Sequence, residues 1–208
     1  MFDSAPQSLP TRDRLIQAAS DLMMRQSYST VSVDDICKAA DIKKGTFYHH
    51  FPSKVELALV TFEHIWDECR RDLVACINDT TKTPEQRLRA FADLVVAHHR
   101  ETYAAEGKVY GCPLANAGNE LGAQDDAVRC KVEGLFEDSI GLFAALVAEF
   151  PAHRDCTREQ CLETARALVC MLMGVEYQAK IFNNPEILAR DLMPGFLRIL
   201  AASHTETT

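Results

Sequence analysis

Apolar residues recur at helical spacing from Arg12 to Gln26, where Leu15, Ala18, Ala19, Leu22 and Met23 make one stripe. This predicts a first helix, with Arg14 and Arg25 off the stripe and solvated. A shorter pattern follows. Val33, Ile36, Cys37 and Ala40 share one face, Ser32 is placed to cap, and Asp34 and Asp35 lie in the opening turn, where the helix dipole favours negative charge. Asp41-Ile42 reads as a turn and Lys43–His50 as a further short helix, stopped by Pro52. Ser53 and Glu56 form a capping-box pair that opens a fourth helix to about Asn78, with Leu57, Val60, Phe62, Ile65, Trp66, Leu73 and Ile77 inside.

The rest of the chain repeats the same grammar. After a polar linker, Thr83, Pro84 and Gln86 restart a helix that reaches about Tyr103, with Leu88, Phe91, Leu94, Val95 and His98 along one side. Pro113 opens and Gly122 closes a short sixth helix. Asp125 opens a seventh, to about Phe150, ended by Pro151; within it Gly134 and Gly141 are expected to allow close helix approach. Thr157 with Gln160 caps an eighth helix to about Phe182, and Asn184-Pro185-Glu186 starts the last, which Pro194 should kink near Gly195. These last two are apolar nearly all round in places (Ala167 to Val175; Ile187, Leu188, Leu192, Met193, Phe196, Leu197), and a helix without a polar face is buried on several sides. The fold class is all-α with about nine helices.

With 208 residues the chain can bury a substantial core. It holds no apolar run long enough for a membrane span, and its start lacks the basic-then-apolar pattern of a secretion signal. Charge is uneven. Residues 1–60 carry seven Lys/Arg and seven Asp/Glu, and residues 61–208 carry fifteen and twenty-three, so the second stretch holds the whole net charge of −8. An acidic protein is a poor generic binder of nucleic acid, so any such contact must use positive charge concentrated locally, at Lys43, Lys44, Lys54 and Arg12.

The eight cysteines, without a signal peptide, are expected as reduced thiols in a cytoplasmic protein. No zinc-type spacing occurs, and neither a metal nor a cofactor is expected. Cys156 and Cys161, five apart, have the wrong step for one helix face. His98 and His99 point about 100° apart on a helix and do not make a metal pair. Cys112 directly precedes Pro113, so its thiol lies near a helix N-terminus. Unpaired amides and the positive end of the dipole favour thiolate there, the setting of a reactive cysteine. The alternative is a buried structural thiol at a tight corner.

The run Gly45-Thr46-Phe47-Tyr48-His49-His50-Phe51, then Pro52-Ser53-Lys54 and Glu56-Leu57, together with Thr30 to Ile36, closely resembles the signature of the TetR family of bacterial transcriptional regulators. Ser27 departs from it, standing where the family has glycine ahead of an aromatic, here Tyr28. The resemblance implies a homodimer with a helix-turn-helix DNA-binding domain, residues 1–52, and a helical ligand-binding and dimerisation domain, residues 53–208. Helix, turn and helix form a shape that the major groove admits, the second helix reading it. The DNA-contacting candidates are Ser32, Lys43, Lys44, Gly45, Thr46, Tyr48, His49 and Lys54. In the family the ligand cavity lies among the fifth to eighth helices; helical facing gives Trp66, Phe91, His98, Tyr103, Tyr110, Cys112, Asn116, Phe143, Met173 and Tyr177 as candidates. The Gly111-Cys112 pair ahead of a helix with Asn116 and Glu120 resembles a branch that responds to electrophiles or small unsaturated carbonyl compounds.

The expected function is a ligand- or thiol-responsive repressor, bound as a homodimer to a pseudo-palindromic double-stranded operator and released by a small inducer, with the two C-terminal helices of each subunit paired in a four-helix bundle. A DNA-binding activator is one alternative. A cysteine-dependent enzyme acting on electrophiles, with Cys112 as nucleophile and His98 or His99 as base, is the other; no catalytic signature accompanies it.

Overall fold

The computed structural model describes residues 9–201. They form nine α-helices, α1 (Thr11–Arg25), α2 (Val33–Ala40), α3 (Lys44–His50), α4 (Lys54–Ile77), α5 (Pro84–Glu106), α6 (Pro113–Leu121), α7 (Asp126–Val147), α8 (Arg158–Ile181) and α9 (Glu186–Ala201), with a single 3₁₀ turn at Pro151–His153. The chain divides into two compact units. One comprises the chain up to Cys69 with Pro113–Leu135, and the other Arg70–Cys112 with the chain from Phe136. The first unit thus extends past the boundary expected at residue 52, because the first half of α4 supplies one wall of its core.

In the first unit that core is built on Leu15, Ala19, Ile36, Phe47, Leu57, Ala58 and Phe62, all essentially inaccessible. Ser32 caps α2 as expected, with a capping box completed by Asp35. The helix closes on Asp41 in the left-handed conformation, φ 53°. Arg14, expected to be solvated, instead donates to the carbonyls of Ala40 and Asp41, the latter at 3.1 Å. Those carbonyls end a helix and lack partners of their own, and the guanidinium of α1 satisfies them. Gly118 of α6 lies against α7, since a Cβ there would stand 3.3 Å from Val132.

In the second unit α5 opens with the expected Thr83–Gln86 capping box. Phe91, Phe143 and Phe196 line up from α5, α7 and α9, with ring centroids 5.3 and 6.3 Å apart. Buried Arg87 donates to the carbonyl of Ile77 at 2.7 Å and to the Glu149 carboxylate at 3.0 Å. Helices α8 and α9 pack closely where Gly195 leaves room for Met171. Gly134 and Gly141 do not act in this way: both are exposed and face open space. The C-terminus of α8 is a Schellman motif with Asn183 left-handed at φ 48°; its amide donates to Lys180 O and that of Asn184 to Ala179 O.

Candidate functional site

Helix α3 is divided sharply between its two faces. Phe47 is fully buried and Phe51, at the helix end, nearly so, with their rings 6.1 Å apart in the small core. Lys43, Lys44, Gly45, Thr46, Tyr48 and His49 all face outward. Tyr48 is 51% exposed, although its ring meets Phe47 edge-on at 5.1 Å. A large aromatic left in water by a core with no use for it is the kind of group an interface employs. Gly45 has no atom within 4 Å of a built Cβ, so nothing inside the protein requires glycine there. What its missing side chain leaves open is the outer surface.

The charges of this face are partly engaged. Lys44 pairs with Asp34 at 2.9 Å, and this hydrogen bond and charge raise the lysine's pKa. The hydroxyl of Ser32 is occupied in capping α2. Lys54 departs most from expectation. Its ammonium donates to the carbonyls of Tyr28 and Val31, at 2.8 and 2.9 Å, and lies 3.8 Å over the Tyr28 ring. Burial lowers its pKa, against the field of Glu120. The phosphate role expected for it therefore has no support here: the loop between α1 and α2 leaves two carbonyls to be satisfied, and this lysine satisfies them.

The other edge of that loop is held by α6. One Glu120 oxygen accepts from the Tyr28 amide at 2.9 Å and the other from the Ser29 amide at 2.7 Å. The Ser27–Val31 loop is thus pinned by an ammonium on its carbonyls and a carboxylate on its amides. This loop leads directly into α2 and α3.

In the second unit the connection from α5 to α6 is fastened along the end of α8. Asn183 accepts from the Val109 amide at 2.9 Å and donates to Gly107 O at 3.0 Å. Gly111 has φ +70°, and a Cβ there would meet Lys180 at 3.4 Å and the Glu176 carbonyl at 3.5 Å, so backbone runs directly on backbone. Cys112 follows it, half-buried. Close by in α8, the Glu176 carboxyl lies 3.6 Å from His99 Nε2. Both side chains are buried; Oε2 of Glu176 has no hydrogen-bond partner, and a contact with the Val95 backbone favours the protonated His99 ring. Burial pushes Glu176 up to about 8 and, helped by His98, pulls His99 down to about 4, so this is a contact between neutral groups at pH 7.

The family model described as bacterial regulatory proteins, tetR family, matches residues 15–61, the segment that contains α2, α3 and the pinned loop. The chain belongs to the TetR family. It is a DNA-binding transcriptional regulator and not an enzyme. Transcriptional regulator AcuR of Cereibacter sphaeroides is 34% identical over 133 residues, 64% of this chain; the match spans 59% of that regulator's length. The HTH-type transcriptional repressor DhaR of Mycobacterium sp. strain GP1 is 25% identical over 93% of this chain and 94% of its own. A crystal structure of a regulatory protein TetR from Rhodobacter sphaeroides superposes with a TM-score of 0.76 at 29% identity, covering 91% of this chain and 96% of that one.

Within this TetR-family fold the ligand candidates fall into separate places. Phe91 and Phe143 are in ring contact. Tyr110, Cys112 and Met173 are partly buried in the same unit, while Trp66 and Asn116 belong to the first. His98 and Tyr103 are exposed on α5, and Tyr177 is 57% exposed on α8. The α5 register explains the first two: the apolar side chains that bury are Leu88, Ala92 and Val96, so the inward histidine is His99. Sequence reasoning missed the His99–Glu176 pair and the Glu120 clamp. A lone glutamate in the apolar stretch of α8 was the available signal for the former; nothing in the sequence pairs Glu120 with a loop some ninety residues earlier.

Proposed function

We propose that the chain is a ligand- or thiol-responsive repressor that acts in the cytoplasm as a homodimer on a pseudo-palindromic operator. The carrying observation is the divided α3, two aromatics inside and Lys43, Thr46, Tyr48 and His49 outside. Side chains of these kinds at the N-terminal end of a recognition helix read base edges and phosphates, and two such helices in a twofold dimer fit half-sites about 34–36 Å apart. No described helix is long and apolar enough to cross a membrane.

The dimer reading rests on α8. Ala167, Cys170, Gly174, Tyr177 and Ile181 make one exposed row, continued by Phe182, and the last three large side chains are 57%, 62% and 69% exposed. Such a row is costly to leave in water, and its small residues admit a second helix closely. A second copy, pairing α8 and α9 with its own, is the occupant.

The inducer reading rests on the fastened connection. Its polar handle is the buried His99–Glu176 pair with its unpartnered Glu176 Oε2, and its covalent handle is Cys112, whose sulfur adds to the electrophilic carbon of an unsaturated carbonyl compound. Either event loosens Gly107–Cys112 from α8, and the chain passes from there straight into α6, whose Glu120 holds the loop before α2. A population in which α2 and α3 are no longer held for both grooves follows, provided the effector favours it.

The test is fluorescence anisotropy with labelled twofold-symmetric duplexes from the DNA flanking the gene. Salt-sensitive binding that Ile181→Glu abolishes, together with the dimer in light scattering, supports the reading. A monomeric wild-type protein at micromolar concentration, or one indifferent to every such duplex, refutes it. A Cys112→Ser protein still fully released by electrophile removes the thiol arm alone.

A further inference from the structure

The joint between α7 and α8 carries a second thiol arrangement, independent of Cys112. His153, in the 3₁₀ turn, is 1% exposed, and its Nε2 lies 3.0 Å from the carbonyl oxygen of Leu200 in α9. A carbonyl can only accept, so Nε2 carries the ring proton and Nδ1 presents a lone pair. Cys156 Sγ lies 3.7 Å from that Nδ1 and donates to it. A backbone bond from Cys156 N to His153 O, 3.1 Å, fixes the two in one turn. Nucleophile, base and a group that orients the base are thus all present. The thiol is partly open to solvent.

A second thiol stands beside it. Thr157 is the N-cap of α8 with a complete capping box to Gln160, so Cys156 occupies the position before the cap and Cys161 the fourth helical position. These are the two positions whose side chains meet in a hydrophobic staple. Five residues is the wrong step along a helix face and the right one across a helix start. Cys161 is buried; its thiol pKa is raised by that burial first, and next by the charge of Cys156.

We propose that Cys156 is an oxidant-reactive thiol, with His153 as its base and Cys161 as the thiol that resolves it. With a hydroperoxide, the Cys156 sulfur attacks the terminal oxygen and the O–O bond breaks. The thiol proton passes to Nδ1 and on to the departing alkoxide, which leaves as an alcohol, or as water from hydrogen peroxide. Cys156 is left as the sulfenic acid. The Cys161 sulfur then attacks the sulfenic sulfur, the S–O bond breaks, and the hydroxyl leaves as water with the Cys161 proton. Two thiols are oxidised to one disulfide and one peroxide is reduced.

The experiment is peptide mapping of the full chain after limited hydrogen peroxide. A Cys156–Cys161 disulfide in the wild type, and a dimedone adduct on Cys156 in Cys161→Ser, are expected. His153→Gln should slow the first step by about tenfold to a hundredfold, the loss of a positioned base. Because a buried histidine also shapes the fold, wild-type protein is alkylated in parallel: Cys156 should react with limiting iodoacetamide faster than the more exposed Cys69 and Cys130. Alkylation of Cys156 no faster than of those two, or oxidation that yields neither the disulfide nor the trapped sulfenic acid, overturns the proposal. A folded His153→Gln protein oxidised at the wild-type rate overturns the base.

Discussion

Replacing Glu120 with alanine tests the clamp on the loop before α2. The carboxylate is the acceptor for two backbone amides. The Ser29 amide is exposed, so water replaces that partner at a cost of about 0.5 kcal/mol. The Tyr28 amide is partly buried, and a donor left unpaired there costs about 1–3 kcal/mol. The sum is about 2 kcal/mol, a large share of the roughly 5–15 kcal/mol that holds a domain folded. Glu120→Gln keeps one acceptor but turns an N–H₂ group towards the second amide, so it should lose about half as much. Urea unfolding followed by Trp66 fluorescence is the assay, since the chain has one tryptophan and it lies in the same unit. Lys54→Met removes the partner on the other edge of the loop. As both residues hold the same short loop, one by its amides and the other by its carbonyls, the double variant should be non-additive by more than about 0.5 kcal/mol. Operator affinity should fall with each. An alanine variant within about 0.5 kcal/mol of wild type, a shift typical of unremarkable surface changes, refutes the clamp.

Tyr48→Ala should weaken operator binding by about 1–3 kcal/mol and leave the unfolding midpoint nearly unchanged, because half the ring is already in water; anisotropy and urea titration read the two effects separately. Gly111→Ala should destabilise by about 1–2 kcal/mol in thermal unfolding, from the left-handed backbone at φ +70°. The pH dependence of stability isolates Glu176. Its folded pKa of about 8 lies above the ordinary glutamate value, so the stability it contributes is complete below the unfolded value and is lost as pH rises towards 8, at up to about 1.4 kcal/mol per pH unit. His99, at about 4 in the folded protein, works in the opposite sense up to its ordinary value of 6.5 and is flat above it. Between pH 6.5 and 8 only the glutamate slope remains, and Glu176→Gln should flatten it; a wild-type midpoint constant over that window contradicts the neutral pair.

Helix order was legible because caps are local. Ser32, Thr83 and Thr157 each announce a start within four residues, and each start stands where the spacing put it. The divided face of α3 was legible for a related reason, since Phe47 and Phe51 fix which side is inside. The carbonyl contacts of Lys54 were not legible, because an exposed-looking lysine at a helix start has two outlets, a phosphate or a nearby bare carbonyl, and only the path of the loop shows the second. The exposure of Tyr177 was not legible, because one apolar helix carries two buried-looking rows, and sequence does not say which meets its own chain. The thiols at Cys156 and Cys161 were dismissed on a helix-face rule that does not hold across a cap.

On the proposed DNA-reading role of α3, the exposed Asp34–Lys44 pair bears on how the protein searches a chromosome. A lysine already neutralised by its own neighbour gains little from a random phosphate, because one ion pair is merely exchanged for another, and few counterions are set free in the trade. Casual encounters with duplex should therefore be brief. If Tyr48, Thr46 and His49 read base edges as proposed, the exchange becomes worthwhile only where they find matching edges at the same moment, and discrimination then begins with weak attraction to everything else.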